Sequence, residues 1–541
     1  MASLIRSISL KNFKGFADEV RIDIRPITLL FGANSAGKSS VLHALQYVRE
    51  ILESNNANPD RTRQGGDSID LGGFHNIVNG RNEENQIEIE ITLDLTSTSL
   101  PDLVPEAFED WQTDEDDVWD FYNSLREVKE KVESASVRLI VGWNSYLNAA
   151  IVTGYVIGIN EVWCAKLESS ADGRDVSMRM NRDNPIFLIT PTYEDVDLAE
   201  LLDGWLEPTD LGERGQISAS NEQESSKLSV LPGLFSSVRD AGLERPGAGL
   251  RSWLSGFRGA LPRLDQLLSI PAPGVQGSKN VYLAREFTAF LSWLIIGPAM
   301  LLREQLRQVR YLGPLRRVPA RDFDVSLSQN DAAWADGMAA WEILLTGSQT
   351  MVERCSGWME RPDRLKTGYA LKRTRVQEYD LASAVPLPTG RPKNRLCLVD
   401  QRGLPHQPLD VGVGISQVLP VVVAAQDEYA SIVTVEQPEL HVHPAVQVGL
   451  GDLFIEGAIE RGLSFLLETH SEHLILRLLR RIREAAESGD TTQINPDLLG
   501  VYYLSNDNGN ISATRLPVNV DGDFDIPWPR GFFEERGAEL F

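Results

Sequence analysis

The sequence predicts an α/β fold with a mostly parallel central sheet and a mixed α+β insertion. Near its start, an apolar strand at 27–31 leads through a glycine-rich turn into an amphipathic helix at 39–52. In its second half, apolar strands at 431–435 and 463–467 each lead through a polar turn into a helix-like segment. Such strand–turn–helix units build parallel sheets, because the chain must cross over between strands that run in the same direction.

Composition limits the function classes. The chain has 541 residues, a formal net charge of −25 and three cysteines that lie far apart. Isolated cysteines fit a reducing compartment, the start has no signal-peptide pattern, and no apolar run reaches the roughly 18 residues of a membrane span. We therefore expect a cytoplasmic protein with no membrane contact. An acidic protein is repelled by a phosphate backbone, so nucleic acid is expected only at a local basic strip or through a partner.

A phosphate-binding loop is the strongest motif. Residues 32–39 match G-x-x-x-x-G-K-[ST] and stand between an apolar strand and an amphipathic helix. Glycines let backbone N–H groups face the phosphates, and the helix start adds partial positive charge. We predict that Lys38 binds the β- and γ-phosphates of ATP and that the Ser39 hydroxyl ligates Mg²⁺. The predicted ATP-binding residues of this loop are Gly32, Ala33, Asn34, Ser35, Ala36, Gly37, Lys38, Ser39 and Ser40.

Two later strands end in residues that suit the same site. The strand at 431–435 is followed by Glu436, which we predict as the carboxylate beside Mg²⁺, since magnesium sites use carboxylate oxygens. The strand at 463–467 leads to His470, an imidazole able to hydrogen-bond a γ-phosphate. Alone, each residue would be read as an ordinary strand end or surface histidine. Their order after the phosphate loop favours the functional interpretation.

A fourth segment, 410–420, carries Gly414 and Ser416 ahead of an apolar, helix-like run. Successive backbone N–H groups in such a turn can form a nest that binds anions. Loops of glycine and serine are common, so this segment has little weight by itself.

These four elements, in this order, resemble the ABC-type ATPase heads of the SMC, RecF and OLD-nuclease group. Asn34 in the phosphate loop and the segment Leu10–Phe16 are typical of that group. The resemblance implies an SMC-head P-loop ATPase fold, in which two subunits enclose ATP and Mg²⁺ between them. It also implies that Lys14 lies near the nucleotide.

The same resemblance assigns the other motifs. Gly414 and Ser416 would belong to a signature motif that contacts the γ-phosphate of the other subunit's ATP. His470 would be the switch histidine, and Glu439–Pro444 would be the D-loop that connects the two sites.

Position 437 departs from the group's pattern. Most ABC ATPases place a water-activating glutamate after the magnesium carboxylate, whereas this chain has Gln437. A glutamine can orient water but accepts no proton at neutral pH. Two hypotheses follow. Hydrolysis is slow and the dimer acts as an ATP-held clamp, or Glu439 or His470 acts as the catalytic base.

A narrower resemblance is carried by the segments 311–316, 411–420, 468–476 and 528–535. It points to prokaryotic AAA/ABC ATPases of defence islands, including Septu-, Gabija- and OLD-type ATPase heads. The resemblance implies a homodimer or higher homo-oligomer that regulates or assembles with an effector partner, a nuclease above all, in antiviral (phage) defence. No acid cluster typical of a nuclease domain follows His470, so we expect the partner to cut nucleic acid.

The predicted organisation has three parts. Residues 1–98 form the first half of the ATPase, 99–310 an insertion or arm, and 311–541 the second half with a C-terminal tail.

Two other functions stay open. A RecF-like DNA-repair clamp would bind DNA directly, and a scaffold would hold ATP only to stabilise an assembly. A strip of arginines supplies the clamp with a basic surface, unless these residues pair with the protein's own acids. The strip consists of Arg303, Arg307, Arg310, Arg316, Arg317 and Arg321.

Overall fold

The structure is a computed structural model. It describes residues 3–62, 65–66, 69–102, 126–173, 176–181, 183–188, 259–268, 278–321, 323, 331–380, 385, 387–489 and 494–529. Residues 103–125 and 189–258 of the predicted insertion, and residues 530–535 of the C-terminal segment, lie outside the described residues. Among the described residues, no helix combines the length and the apolar character that a membrane crossing needs.

The largest sheet has seven strands in the order β2-β1-β4-β5-β6-β7-β8, and every neighbouring pair is antiparallel. Its strands are β1 (Ile5–Lys11), β2 (Val20–Asp23), β4 (Ile87–Asp94), β5 (Ser134–Asn144), β6 (Ala149–Ile159), β7 (Val162–Ser169) and β8 (Val176–Met180).

The prediction of a mostly parallel main sheet is therefore wrong. Short connections are the physical reason, because an antiparallel pair can be joined by a two-residue turn. Asn160 and Glu161 form such a turn between β6 and β7, with φ values of 50° and 69°. The strand β4 alternates buried and half-buried residues, as expected for a sheet packed on one face.

Parallel strands occur in a second sheet of six strands, ordered β16-β15-β3-β14-β13-β9. From β15 to β9 all neighbours are parallel, and only β15 and β16 are antiparallel. The strands are β3 (Ile27–Gly32), β9 (Val309–Leu312), β13 (Ile432–Glu436), β14 (Ser464–Glu468), β15 (Leu499–Asp507) and β16 (Asn510–Arg515).

A third sheet consists of β10 (Tyr369–Asp380), β11 (Leu387–Asp400) and β12 (Pro405–His406). The helices are α1 (Lys38–Ser54), α2 (Phe74–Ile77), α3 (Ser278–Arg307), α4 (Met338–Thr346), α5 (Gln349–Glu360), α6 (Val413–Gln426), α7 (Pro444–Arg461) and α8 (Glu472–Ser488).

The strand β3 lies between two apolar cores. Leu30 belongs to the core that packs the seven-stranded sheet against α1 and α3, while Leu29 and Phe31 belong to the core formed with α4 to α8. Successive side chains of a strand point to opposite faces, so a fully buried strand can serve both cores. The strand that leads into the loop is thus packed against an apolar core on each of its faces.

The predicted domain boundary at residue 98 falls between two paired strands. Ile87 of β4 lies opposite Val141 of β5, so strands from the predicted insertion extend the sheet of the first lobe. The division into 1–98, 99–310 and 311–541 stays a prediction.

Candidate functional site

The loop between β3 and α1 has a backbone that depends on glycine. Gly32 has φ 142°, Ser35 φ 63° and Gly37 φ 86°. A Cβ added to Gly32 would lie 2.2 Å from the carbonyl oxygen of Leu504. Such a residue would therefore clash and be strained. Ala33, Asn34 and Ser35 at the top of the loop are exposed. No side chain caps the start of α1, which leaves its first N–H groups available to an anion.

The Lys38 ammonium group lies over this loop. Its Nζ donates hydrogen bonds to the carbonyl oxygens of Gly32, at 3.0 Å, and Ala33, at 2.9 Å. Burial lowers the pKa of Lys38, and the carboxylates of Glu468, Glu439 and Glu436 oppose that shift. The charge of Lys38 thus interacts with all three carboxylates. Its position matches the one that the motif predicts for a phosphate-binding lysine.

Ser39 contacts a carboxylate that we did not predict from the sequence. Its Oγ donates to Oε2 of Glu468 at 2.6 Å, and Oε1 of Glu468 lies 3.9 Å from Lys38 Nζ. Burial raises the pKa of Glu468 to about 7, and the charge of Glu436 adds to the shift. The sequence contained a signal for Glu468, because it ends its strand as Glu436 ends the preceding one. The two acids are register partners on neighbouring strands.

Glu436 is held by a chain of buried groups. Its Oε1 accepts a hydrogen bond of 2.7 Å from the Tyr311 hydroxyl and lies 3.0 Å from Nε2 of His43. The Nδ1 of that histidine lies 2.8 Å from Nζ of Lys14. Burial favours a higher pKa for Glu436, but the contacts with His43, Tyr311 and Lys14 outweigh it and lower the pKa.

Lys14 therefore lies at the predicted site, in contact with the helix that follows the phosphate loop. Burial lowers its pKa to about 8, against the attraction of Glu436. His43 and Tyr311 were missed by the sequence analysis. Tyr311 begins one of the segments that carry the narrower resemblance, but neither residue was assigned to the site, because their contacts with Glu436 span 393 and 125 positions.

The segment after Glu436 turns back onto β14. Gln437 has φ 47°, and its N–H donates to the carbonyl oxygen of Glu468 at 2.8 Å. Glu439 accepts from the Thr469 hydroxyl at 2.8 Å and from the backbone N–H of His470 at 2.6 Å. Burial raises the pKa of Glu439 despite these bonds. The acid thus ties the segment predicted as the D-loop to the residue predicted as the switch histidine.

His470 is half-buried at the same sheet edge. Burial lowers its pKa, and the positive charge of Lys38 adds to this shift. The structure therefore brings the phosphate loop, Lys14, Glu436, Glu439 and His470 together. Their catalytic and binding assignments stay predictions.

The predicted signature residues lie in the first turns of α6. Ser416 is 1% exposed, and its hydroxyl donates to the Val413 carbonyl oxygen at 2.8 Å. A Cβ added to Gly414 would lie 2.6 Å from the carbonyl oxygen of His441, so the helix start packs tightly on the segment predicted as the D-loop.

Arg316 joins this helix to the strand end. It is buried and donates to the carbonyl oxygens of Glu436, at 2.7 Å, and Gln417, at 3.3 Å. The Gln417 amide in turn donates to the Arg316 carbonyl oxygen at 2.5 Å. Burial lowers the pKa of Arg316 to about 10. Arg316 thereby connects the predicted signature segment to Glu436 at the end of β13 within one chain.

Several arginines of the predicted basic strip are engaged in ion pairs. Arg310 pairs with Asp427 at 2.7 Å, and Arg307 pairs with Glu53 at 2.9 Å. The remaining pairs are Arg317 with Asp336 and Arg321 with Asp410. These four ion pairs favour the interpretation that the strip pairs with the protein's own acids, while Arg316 is buried and bonds to backbone carbonyl oxygens.

Hydroxyl and carboxylate oxygens lie beside the loop. The Ser39 hydroxyl and the Glu468 carboxylate are in direct contact, and Glu436 is on the adjacent strand. Hydroxyl and carboxylate oxygens are ligands that Mg²⁺ accepts. The residues present therefore fit a bound magnesium nucleotide.

One family model matches part of this chain. Residues 4–141 match the AAA ATPase domain family model. Comparison with curated proteins gives no match.

The similar solved structures include SMC heads. One is an SmcHead bound to the C-winged helix domain of ScpA, with 10% identity, TM-score 0.36, and coverage of 95% of this chain and 97% of that one. A Pyrococcus furiosus Smc head domain with an extended coiled coil, bound to the C-terminal domain of ScpA, has 11% identity, TM-score 0.35, and coverage of 99% and 98%. The Thermotoga maritima SMC head domain has 8% identity, TM-score 0.35, and coverage of 96% and 100%.

These structural likenesses are too weak to carry an argument about fold or function. The segment with the phosphate loop, residues 4–141, is similar to AAA ATPase domains.

Proposed function

We propose that this chain is an ATPase that binds ATP with Mg²⁺ at the phosphate loop and hydrolyses it. One observation supports the proposal above the others. The loop places Lys38 and Ser39 opposite the strand-end acids, with the Ser39 hydroxyl 2.6 Å from a Glu468 carboxylate oxygen. Lys38 would exchange its bonds to loop carbonyls for bonds to phosphate oxygens. A bound Mg²⁺ supplies charge neutralisation of those oxygens.

The remaining groups orient the reaction. In this proposal the half-buried His470 contacts the γ-phosphate, while Glu439 holds the backbone N–H of His470. Gln437 orients water without taking its proton. Slow hydrolysis follows from this side-chain chemistry, unless Glu439 or His470 supplies the base.

A dimer completes the proposed site. Ser416 would act on the ATP of a second copy, as the resemblance to SMC and RecF heads implies. Its present bond to the Val413 carbonyl oxygen would then break, and Arg316 would transmit the rearrangement of α6 towards Glu436. Size-exclusion chromatography with light scattering, with and without a non-hydrolysable ATP analogue, measures this ATP-dependent association.

Nucleotide titration tests the core of the proposal. Isothermal titration with ATPγS and Mg²⁺ is expected to show saturable binding to wild type and none to Lys38→Ala. A matched control is Lys372→Ala, which removes an exposed lysine of β10 away from the loop. Equal binding by wild type and Lys38→Ala, or no binding by a folded wild type, contradicts the proposal.

The nucleotide state is further proposed to control an effector partner, a nuclease above all, in phage defence. This part is supported only by the resemblance to defence ATPases. Co-purification of the ATP-bound chain with the product of an adjacent nuclease or effector gene tests it, and neighbouring replication or repair genes would contradict it.

The DNA-clamp alternative is less well supported. Four of the six strip arginines are ion-paired, Arg316 is buried, and the net charge is −25. A clamp predicts duplex DNA binding that requires ATP and weakens steeply with salt. The scaffold alternative predicts that Lys38→Ala disrupts assembly while changes at Gln437 have little effect.

A further inference from the structure

We infer that Glu468, rather than Glu436, is the carboxylate that acts with Ser39 in holding the divalent cation of the bound nucleotide. This inference rests on the proposed function, because it concerns the same nucleotide site. It names a residue that the sequence motifs did not assign.

The first support is direct contact. The Ser39 hydroxyl, which the phosphate-loop motif assigns to the cation, donates to Oε2 of Glu468 at 2.6 Å. The other oxygen of the same carboxylate lies 3.9 Å from Lys38 Nζ. Glu468 thus faces both the metal-binding and the phosphate-binding side chains of the loop.

The second support is strand order. The strand β14 pairs directly with β3, which leads into the loop, and Glu468 lies opposite Leu30. The strand β13 is one position further along the sheet, so Glu436 starts about 4.8 Å farther from the loop strand. An acid on the adjacent strand reaches the start of α1 with less rearrangement.

The third support is the engagement of Glu436 elsewhere. The Oε1 of Glu436 accepts a hydrogen bond from the Tyr311 hydroxyl and lies beside Nε2 of His43. The Arg316 guanidinium donates to the backbone carbonyl oxygen of Glu436. Turning this carboxylate towards a cation would break buried hydrogen bonds, which is costly. Glu468 has to give up its Ser39 hydrogen bond and loosen its 3.9 Å ion pair with Lys38, and a cation bound by Ser39 replaces the first interaction.

Gln437 makes an additional carboxylate useful. The chain has an uncharged amide at position 437, where the resembling ATPases have an acid. The Gln437 N–H donates to the backbone carbonyl oxygen of Glu468, which brings this second acid beside that position. The site therefore keeps two strand-end carboxylates, divided between two neighbouring strands. Glu436 becomes a positioning residue that fixes His43 and Lys14 behind the loop.

Manganese binding provides a test that does not depend on turnover. Electron paramagnetic resonance counts free Mn²⁺ in titrations of the full chain with ATPγS. Glu468→Gln is expected to weaken Mn²⁺ binding to the nucleotide complex by about 10- to 100-fold, a typical loss for removal of a metal-supporting group. ATPγS affinity measured in EDTA should stay within about threefold of wild type, since no metal bond is involved.

Glu436→Gln is the matched comparison, because it removes the same charge from the neighbouring strand. It should change Mn²⁺ affinity less than Glu468→Gln does. Glu468→Asp should recover part of the lost Mn²⁺ affinity, which separates a carboxylate requirement from a folding defect. Far-ultraviolet circular dichroism checks that each variant is folded.

The outcomes separate the two proposals. If folded wild type binds no ATPγS under either condition, the proposed function itself fails. If wild type binds but Glu468→Gln keeps full Mn²⁺ affinity while Glu436→Gln loses it, the inference about Glu468 is overturned. Loss of turnover alone, with Mn²⁺ affinity unchanged, also overturns it, because that result assigns Glu468 to proton transfer.

Discussion

The Tyr311 hydroxyl donates a 2.7 Å hydrogen bond to the Glu436 carboxylate, and both side chains are buried. Tyr311→Phe removes the donor and leaves the acid with His43 as its remaining side-chain partner. We expect the free energy of unfolding to fall by about 2 kcal/mol, as for a bond to a charged group. Urea denaturation measures the change. Tyr429→Phe, at a side chain 79% exposed, is the control and should leave stability unaltered; equal effects would contradict the expectation.

Gly32→Ala tests the requirement for glycine in the phosphate loop. A Cβ there would lie 2.2 Å from the Leu504 carbonyl oxygen, and φ is 142°. Backbone strain and steric overlap together are expected to lower the free energy of unfolding by about 3 kcal/mol. Thermal denaturation measures the loss.

Gly357→Ala is a suitable comparison, because position 357 is inside α5 and has ordinary space around a new Cβ. It should stabilise the protein by about 0.5–1 kcal/mol. Destabilisation at both positions to the same extent would show that the backbone of the loop is not the cause.

Gln437→Glu tests whether a missing base limits hydrolysis. We expect the steady-state ATPase rate to rise by about 100-fold, within the range for general base catalysis. Phosphate release assays measure it. A fast wild type that is abolished by Glu439→Gln would contradict slow hydrolysis and assign the base role to Glu439, whose carboxylate already contacts the Thr469 hydroxyl and the His470 N–H.

Glu468 is expected to make stability depend on pH. Burial and the charge of Glu436 raise its pKa from 4.5 to about 7 in the folded chain. Between these values the folded chain binds a proton that the unfolded chain has released, so stability falls as pH rises through this interval. Above pH 7 the effect is constant.

Glu468→Gln should remove this decline, because glutamine cannot titrate. Urea midpoints from pH 4.5 to 7.5, in EDTA without nucleotide, compare the two proteins. The variant is expected to gain stability relative to wild type as pH rises. Parallel curves for both proteins would contradict the raised pKa.

The sequence predicted the strand and the helix on either side of the phosphate-loop motif correctly. The strand at 27–31 and the helix at 39–52 correspond to β3 and α1, because loop, strand and helix are adjacent in the chain. The antiparallel pairing of the largest sheet was not predicted. Packing across the whole fold decides which strands pair, and neither β1 nor β4 contains a motif that indicates the strand with which it pairs.

The same reason explains the residues that were missed. The partner of Ser39 is 429 positions away, at Glu468, and no spacing rule connects them. Glu468 could have been predicted only by applying the rule that predicted Glu436, an acid at the end of an apolar strand, to the strand at 463–467 as well. The arginine strip shows the opposite case, since a sequence window counts charges but cannot reveal that Arg310 already faces Asp427.

The contact of Gly32 with Leu504 sets an order of events during synthesis. The strand β3 emerges from the ribosome long before β15, its neighbour on one side. Domains form as their segments become available, so the loop is expected to reach its final backbone only after β15 has been made. A chain stopped before residue 499 would carry the complete phosphate-loop motif and still lack the strand that packs against Gly32. Nucleotide binding would therefore report that β15 has joined the sheet.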